Sequence, residues 1–344
     1  MAALEEAEKP LICIGGGVFA AHAENEIREL ADLMQIPVIT TMMGISVFPD
    51  DDQLFCGMIG THGVKMANAA VNECDVLFLV GARVGDRAVK TPLALEKTTK
   101  IIHIDIDPAE IGKNIGADLP LVGDAKLVLQ QMTELAKPMK HDEWIAHIKT
   151  LGGERKYVEP AKGTVNPRVF IDRLAKKMPA NVTVVADVGQ NQIWTCTEYK
   201  FRKEGRLLTS GGMGTMGYSV PAAIGAKMAD NSRATVAICG DGAFQMSFME
   251  LATAVQFGVD IKVVVMTNNR LGMVRELQTN GYHDRQTAVF LDGSPDFIKL
   301  AEAYGIPAMR VYDDDTMEKG VEMLAEHKGI CLVEVVVDKD MPTL

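Results

Sequence analysis

No stretch of this sequence approaches the roughly 20 consecutive apolar residues of a membrane span. The opening dozen residues, MAALEEAEKPLI, are acidic where a secretory signal is basic and then apolar. Basic charge is also scarce: 35 Lys and Arg stand against 46 Asp and Glu, a formal net charge of −11. A nucleic-acid binder needs a basic face to neutralise phosphates, so that class is disfavoured. The six cysteines (Cys13, Cys56, Cys74, Cys196, Cys239 and Cys331) form no C-x-x-C pair and have no histidine at metal-ligand spacing. They read as reduced core thiols of a cytoplasmic protein. There is no internal repeat and no low-complexity tract. What is present is an apolar share of 47% and a charged share of 24%, ordinary for a globular protein. At roughly 100–200 residues per domain, 344 residues predict about two domains.

Two blocks alternate short β-branched runs with amphipathic stretches, the pattern of parallel strands joined by crossover helices. The expected fold class is α/β, with two Rossmann-like parallel-sheet domains. In the first block, strands are expected at 11–15, 37–40, 75–81 and 100–107, and a helix at 23–35 with Ile27, Leu30, Ala31 and Met34 on one face. In the second, strands are expected at 182–189, 234–242, 261–269 and 331–338. Residues 138–166 are polar and read as a linker between domains at 1–137 and 167–344. Asn166-Pro167 reads as an N-cap followed by proline at the first helical position, opening a helix over 168–178.

The most informative segment runs from Cys239 to Val274. A strand ends at Gly240-Asp241-Gly242, a helix follows with Phe248, Leu251, Ala252 and Val255 on one face, and a second strand ends at Thr267-Asn268. Strands joined by a crossover helix are parallel, so Asp241 and Asn268 emerge at the same carboxyl edge. Neighbouring strands lie about 4.8 Å apart, so both side-chain oxygens can reach one cation through bonds of about 2.1 Å. One anionic and one neutral oxygen, with room for phosphate oxygens and water, suit magnesium. The flanking glycines admit a phosphate and the following helix aims its first amides at it. Taken singly, Asp241 could simply cap a turn and Asn268 end a strand. The pair at matching strand ends favours a metal-bound diphosphate.

GDG followed by Asn at this spacing resembles the signature of thiamine-diphosphate enzymes. The resemblance implies that Asp241, Asn268 and the Arg270 carbonyl hold Mg2+, with Gly240, Gly242, Ala243 and Met273 beside thiamine diphosphate. The loop DVGQNQIW at 187–194 resembles the one that contacts the diphosphate through Gln190 and the next residue. The family often has His there; this chain has Asn191, which can donate through its amide but carries no charge. The segment SGGMGTMGYSVPAAIGA at 210–226 resembles the aminopyrimidine support, with the Gly214 carbonyl as acceptor and Met216 as the apolar wedge. On periodicity alone Met216 is a core methionine.

In the first block Gly15-Gly16-Gly17 opens a G-x-G-x-x-A match after a strand. A nicotinamide site also requires an acid at the end of the next strand. That strand ends Thr40-Thr41-Met42, so NAD ranks below other adenine dinucleotides. The segments 57–87 and 103–124 resemble the flavin-binding middle domain of the acetolactate (acetohydroxyacid) synthase large subunit. By that match 60–81 and 103–122 line an FAD site, with Gly15, Gly16, Gly17, Gly60, His62, Gly63, Gly81, Arg83, Arg87, Asp105, Asp107 and Asp124 as candidate contacts. Arginine offers a fork to a pyrophosphate, and acids at a strand end accept from hydroxyls. As a lone histidine, His62 is about as readily structural. The family reads phenylalanine-aspartate-aspartate-arginine after GAR, where this chain has Val84-Gly85-Asp86-Arg87.

The implied reaction joins pyruvate to a second 2-keto acid, giving 2-acetolactate or 2-aceto-2-hydroxybutyrate, through a thiamine-diphosphate enamine in branched-chain amino-acid biosynthesis. FAD would be structural. Leu277 stands where the family has a pocket tryptophan, so acetolactate formation is the expected preference. The family's activating glutamate lies in a domain ahead of the flavin domain, so no catalytic residue is assigned here and the chain is expected to be inactive without that domain. The expected partners are 2-keto acids, a further copy in a homodimer or higher assembly, a separate N-terminal-domain chain and a regulatory subunit. Other readings are a different thiamine-diphosphate decarboxylase or carboligase, such as glyoxylate carboligase, or a non-catalytic nucleotide-binding remnant.

Overall fold

The computed structural model describes residues 1–153 and 157–344. The chain divides into two compact units, Met1–Arg155 and Lys156–Leu344. Each is built on a six-stranded, all-parallel sheet. In the first, β1 (Pro10–Ile14), β2 (Val38–Thr40), β3 (Phe55–Met58), β4 (Val76–Val80), β5 (Lys100–Asp105) and β6 (Leu119–Val122) lie in the order β3-β2-β1-β4-β5-β6. In the second, β7 (Thr183–Ala186), β8 (Arg206–Thr209), β9 (Thr235–Gly240), β10 (Lys262–Thr267), β11 (Ala308–Val311) and β12 (Cys331–Val336) lie in the order β11-β12-β10-β9-β7-β8.

The α/β expectation of two Rossmann-like sheets is met. All eight expected strands are present, and in each sheet they are the four central ones. The four unexpected strands, β3, β6, β8 and β11, are the four edges. A central strand is covered on both faces and reads as an unbroken apolar run. The residues of β1 are all buried, with Ile12 and Ile14 packed on one side and Leu11 and Cys13 on the other. Edge strands bury less: β6 is exposed at all four positions, and β8 alternates half-buried with buried. All six cysteines are buried and unpaired.

The helix Glu24–Met34 buries Ile27, Leu30, Ala31 and Met34, the face read from the sequence. Between Asp241 and Gln256 the expected face is displaced. A short helix Asp241–Gln245 gives way to a 3-10 turn at Phe248–Glu250 before Leu251–Gln256, and the buried residues of that last helix are Leu251 and Ala254. Ala252 and Val255 face solvent. The tighter turn resets the angular phase, so one 3.6-residue period cannot span the segment.

The expected linker at 138–166 holds a helix, Asp142–Leu151, that belongs to the first unit. Its polar composition hides an i, i+4 apolar pair, Trp144 and Ile148, both buried in one side of that unit's core. The Trp144 indole donates to the Pro10 carbonyl at 3.0 Å. In the second unit, Val165 pairs with Val337 before the helix Pro167–Lys177 begins. Asn166 caps that helix, its side-chain oxygen accepting from Arg168 N at 2.9 Å while its amide donates to the Val158 carbonyl at 2.8 Å. Losing a cap of this kind costs about 1 kcal/mol. Asn166→Ala should therefore lower unfolding stability by about that much in urea titration; an unchanged midpoint would contradict the assignment.

Candidate diphosphate and metal site

In the second sheet β10, β9 and β7 are consecutive neighbours, so their carboxyl ends bring together three loops: 268–272, 240–242 and 187–191. Asp241 sits at the centre and is 1% exposed. Its Oδ1 accepts from Gly242 N at 2.8 Å, and its Oδ2 accepts from Asn269 N at 2.6 Å and Asn268 N at 3.2 Å. Burial pushes this carboxyl up to about 6, against the opposing pull of those backbone donors. An ionised carboxylate offers about four acceptor positions, and the backbone takes three, leaving one on Oδ1. The Asn268 Oδ1 accepts from Arg270 N at 3.1 Å and likewise keeps a lone pair. A desolvated carboxylate and an amide oxygen, each with unused capacity, form a donor set that fits a hard divalent cation.

The two adjacent asparagines differ in their settings. Asn268 is half-buried, and its amide nitrogen donates to Gln190 Oε1 at 3.2 Å. Asn269 is exposed, with a left-handed φ of 53°. The Arg270 side chain bonds the Asn269 carbonyl at 2.6 Å and Asp292 at 2.8 Å and lies over the Phe290 ring at 4.7 Å. That arrangement fixes the loop that carries the Arg270 carbonyl.

Gln190 is buried at the start of the helix Gln190–Glu198. Asn191 is buried beside it, and its amide donates to the Asp187 and Ile238 carbonyls at 2.8 and 3.2 Å. The Asn191 donors are thus spent on strand ends rather than presented outward. Gly240 is half-buried and Ala243 is buried. A Cβ built on Gly242 would meet Leu271 Cδ2 at 2.8 Å, Leu291 Cδ1 at 3.1 Å and Met216 Cε at 3.5 Å, so the expected wedge lies near the GDG turn. Gly214 is exposed with φ of 65°. Met273 is half-buried, and Leu277, one turn further along the helix Gly272–Gly281, is exposed.

Sequence reasoning did not single out Asp187, Gly272 or Glu276. Asp187 is fully buried, and its carboxylate accepts from Gly217 N at 2.9 Å and Ser219 N at 2.7 Å. Thr209 Oγ1 donates to the Ala186 carbonyl at 2.8 Å. Both feet of the loop carrying Gly214 and Met216 are therefore bonded to the tip of β7. The available signal was an acid directly after a strand.

In the first unit the candidate flavin contacts all follow strand ends. Gly15, Gly16 and Gly17 follow β1, Gly60, His62 and Gly63 follow β3, Gly81, Arg83 and Arg87 follow β4, Asp105 and Asp107 close β5, and Asp124 follows β6. The absent side chains of Gly15, Gly17 and Gly81 make room for backbone: a Cβ on Gly15 would lie 2.1 Å from the Gly81 carbonyl oxygen, and one on Gly17 2.7 Å from Gly81 Cα. Gly60 and Gly63 are similarly closed by Arg87 and Ile59 backbone, and Gly16 lies against Met43. Asp124 caps the helix Ala125–Leu135 through Leu127 N, and Asp107 accepts from Ala109 N. Arg83 and Arg87 are exposed, and His62 is half-buried. His103 is 1% exposed with neither ring nitrogen hydrogen-bonded, its Nε2 4.0 Å from Asp105, and burial holds its pKa below the usual value. An orphaned imidazole among these strand ends, with two exposed guanidinium groups, fits a polar dinucleotide at this edge.

Two family models match. The one described as "Thiamine pyrophosphate enzyme, C-terminal TPP binding domain" covers residues 187–335, and "Thiamine pyrophosphate enzyme, central domain" covers 1–132. The chain belongs to the thiamine pyrophosphate enzymes. It is 40% identical to the probable acetolactate synthase large subunit of Methanocaldococcus jannaschii over 97% of this chain and 58% of that protein. It is 36% identical to the acetolactate synthase large subunit of Lactococcus lactis over 98% of this chain and 59% of that protein. With that of Corynebacterium glutamicum the identity is 40%, over 89% of this chain and 51% of that protein. The chain thus spans between half and three-fifths of these relatives. Among the described residues no helix is long and apolar enough to cross a membrane.

Gly272 tests the site's packing. A Cβ there would lie 1.9 Å from Gln190 Oε1 and 3.1 Å from the Asn268 amide nitrogen. Gly272→Ala should destabilise the protein by about 1–3 kcal/mol in urea titration. Gly281→Ala in the same helix, where nothing lies within 4 Å, should be neutral or stabilising by up to about 1 kcal/mol. Equal effects would contradict the close approach.

Proposed function

We propose that this chain supplies the metal-and-diphosphate half, and the flavin-binding unit, of an acetolactate-synthase-type carboligase that joins pyruvate to a second 2-keto acid. The observation that carries the reading is the convergence of Asp241, Asn268 and Gln190 at the carboxyl ends of three adjacent strands. Asp241 and Asn268 would ligate Mg2+ through side-chain oxygens and Arg270 through its carbonyl. The half-buried Asn268, turned inward to Gln190, supports it over exposed Asn269. The Gly240–Gly242 turn and the first amides of the helix Gln190–Glu198 face the same edge and would hold phosphate oxygens. Met216, near the GDG turn, would be the apolar wedge that holds the cofactor bent. Thiamine diphosphate, when bound, supplies the carbanion chemistry. The protein's part is to hold it, orient it and keep water from it. FAD at the first unit's edge would lie beside Arg83, Arg87, His103 and Asp105.

Carboligation is expected to require the activating glutamate of a domain that the family carries ahead of the flavin domain, so a further domain or chain is part of the proposal. So are self-association and a regulatory subunit.

The pH dependence of metal binding tests the site. Without a cation, burial raises the Asp241 carboxyl from 3.8 to about 6. The protonated form is the stable one, so this group's contribution is complete below about pH 4 and is lost as pH rises through about 6, a change of about 3 kcal/mol. A cation binds the ionised form and reverses that loss. Mg2+ with thiamine diphosphate should therefore raise the thermal midpoint markedly at pH 7.5 and little at pH 5. Equal shifts at both values, or none at either, would sink the assignment. In the assembled enzyme, Leu277 in place of a planar wall should favour pyruvate over 2-ketobutyrate as acceptor when the two compete; a strong preference for 2-ketobutyrate would refute this role.

A further inference from the structure

The Gln190 carboxamide is wedged between two groups that differ in polarity. Its Nε2 faces three oxygens: the Met341 carbonyl at 2.9 Å, Thr343 Oγ1 at 3.2 Å and Glu276 Oε2 at 3.2 Å. Carbonyl and carboxylate oxygens accept only. Thr343 Oγ1 spends its proton on Glu276, so it too presents a lone pair to Gln190. Thr343 N also donates to both Glu276 oxygens, at 3.1 and 3.3 Å, which pins the carboxylate in place. Nothing on that side donates to Gln190, so Nε2 points there and Oε1 points the other way.

Opposite lies the Asn268 amide nitrogen, which donates to Gln190 Oε1 at 3.2 Å. With its nitrogen committed, Asn268 turns Oδ1 to the far side, where Arg270 N donates to it. A free carboxamide can exchange its two ends because oxygen and nitrogen have nearly the same shape. A flipped Asn268 would present N–H groups to a cation and repel it.

We infer that Glu276, with the segment Met341–Thr343, is a positioning element that fixes through Gln190 which end of the Asn268 carboxamide faces the divalent cation. This rests on the reading of Asp241 and Asn268 as metal ligands. The relay occupies the Gln190 side chain with other protein groups, so Gln190 would serve a diphosphate through its backbone amide at the helix start. It also accounts for the close approach at Gly272, which lets the helix bearing Glu276 reach Gln190 and Asn268.

The test uses the whole 344-residue chain, with Mn2+ as a spectroscopic probe in the presence of thiamine diphosphate, alongside urea unfolding without metal. Glu276→Leu removes the acceptor; Glu276→Gln keeps an oxygen for Gln190. Groups behind a metal ligand typically change affinity 10–100-fold, so the Leu variant should bind Mn2+ at least about ten-fold more weakly and the Gln variant should recover to within about three-fold. Thr343→Val, which removes the hydroxyl that bonds both Glu276 and Gln190, should weaken Mn2+ binding in the same direction and serves if the Leu variant does not fold. A residue that only supports the fold would change Mn2+ affinity in step with the metal-free unfolding midpoint. The inference is overturned if Leu and Gln variants lose affinity equally, or if Glu276→Leu and Thr343→Val both bind as the parent does. If the parent chain itself binds no Mn2+, the metal-site reading falls and the relay with it, an outcome distinct from failure of the relay alone.

Discussion

The second unit is organised around one desolvated carboxylate. Asp241 lies at the tip of a central strand with its charge removed from water, and backbone N–H groups of Gly242, Asn268 and Asn269 donate to its carboxylate. That balance falls short, which is why burial lifts the carboxyl to about 6. An incompletely stabilised buried charge is costly unless a cation completes it. Two of those bonds, from Asn268 and Asn269, hold the GDG turn to the end of β10, so the groups that temper the charge also set the distance between the two loops.

Around that centre the parallel sheet does most of the placing. Adjacent parallel strands deliver their following loops to one edge, so residues distant in sequence become neighbours without dedicated contacts. In the second unit this brings Gln190, Asp241 and Asn268 together. In the first it gathers the loops after β1, β3, β4, β5 and β6. There the glycines are largely consumed by loop-on-loop packing, and the polar character of the edge comes from Arg83, Arg87, Asp105 and the unbonded His103 imidazole.

What was legible in the sequence follows from range. Central strands are largely apolar because both faces are covered, and all eight were readable; β3, β6, β8 and β11 were not, because an edge strand is only partly buried and its pattern weakens. The cap at Asn166 and the face of Glu24–Met34 depend on neighbours within a few residues, and both were readable. The helix Asp142–Leu151 was masked by its charged surface, which outnumbers Trp144 and Ile148. The Asp241–Asn268 pair was accessible because one crossover fixes its geometry. The bonding of Gln190 to Met341 and Thr343 spans about 150 residues and leaves no periodic trace in the sequence. Asp187 is intermediate: an acid after a strand is visible, but its partners Gly217 and Ser219 emerge only once the chain has folded back.

The double anchoring of the 209–219 loop bears on how the site can breathe. With Thr209 fastened to Ala186 and with Gly217 and Ser219 fastened to Asp187, any swing is confined to the crest between them, where Gly211 to Thr215 lie open to solvent. The crest is thus a short span whose two ends are both set into one strand tip. Its footing is Asp187 rather than Asp241, so the bonds that hold the crest are separate from those made by the Asp241 carboxylate.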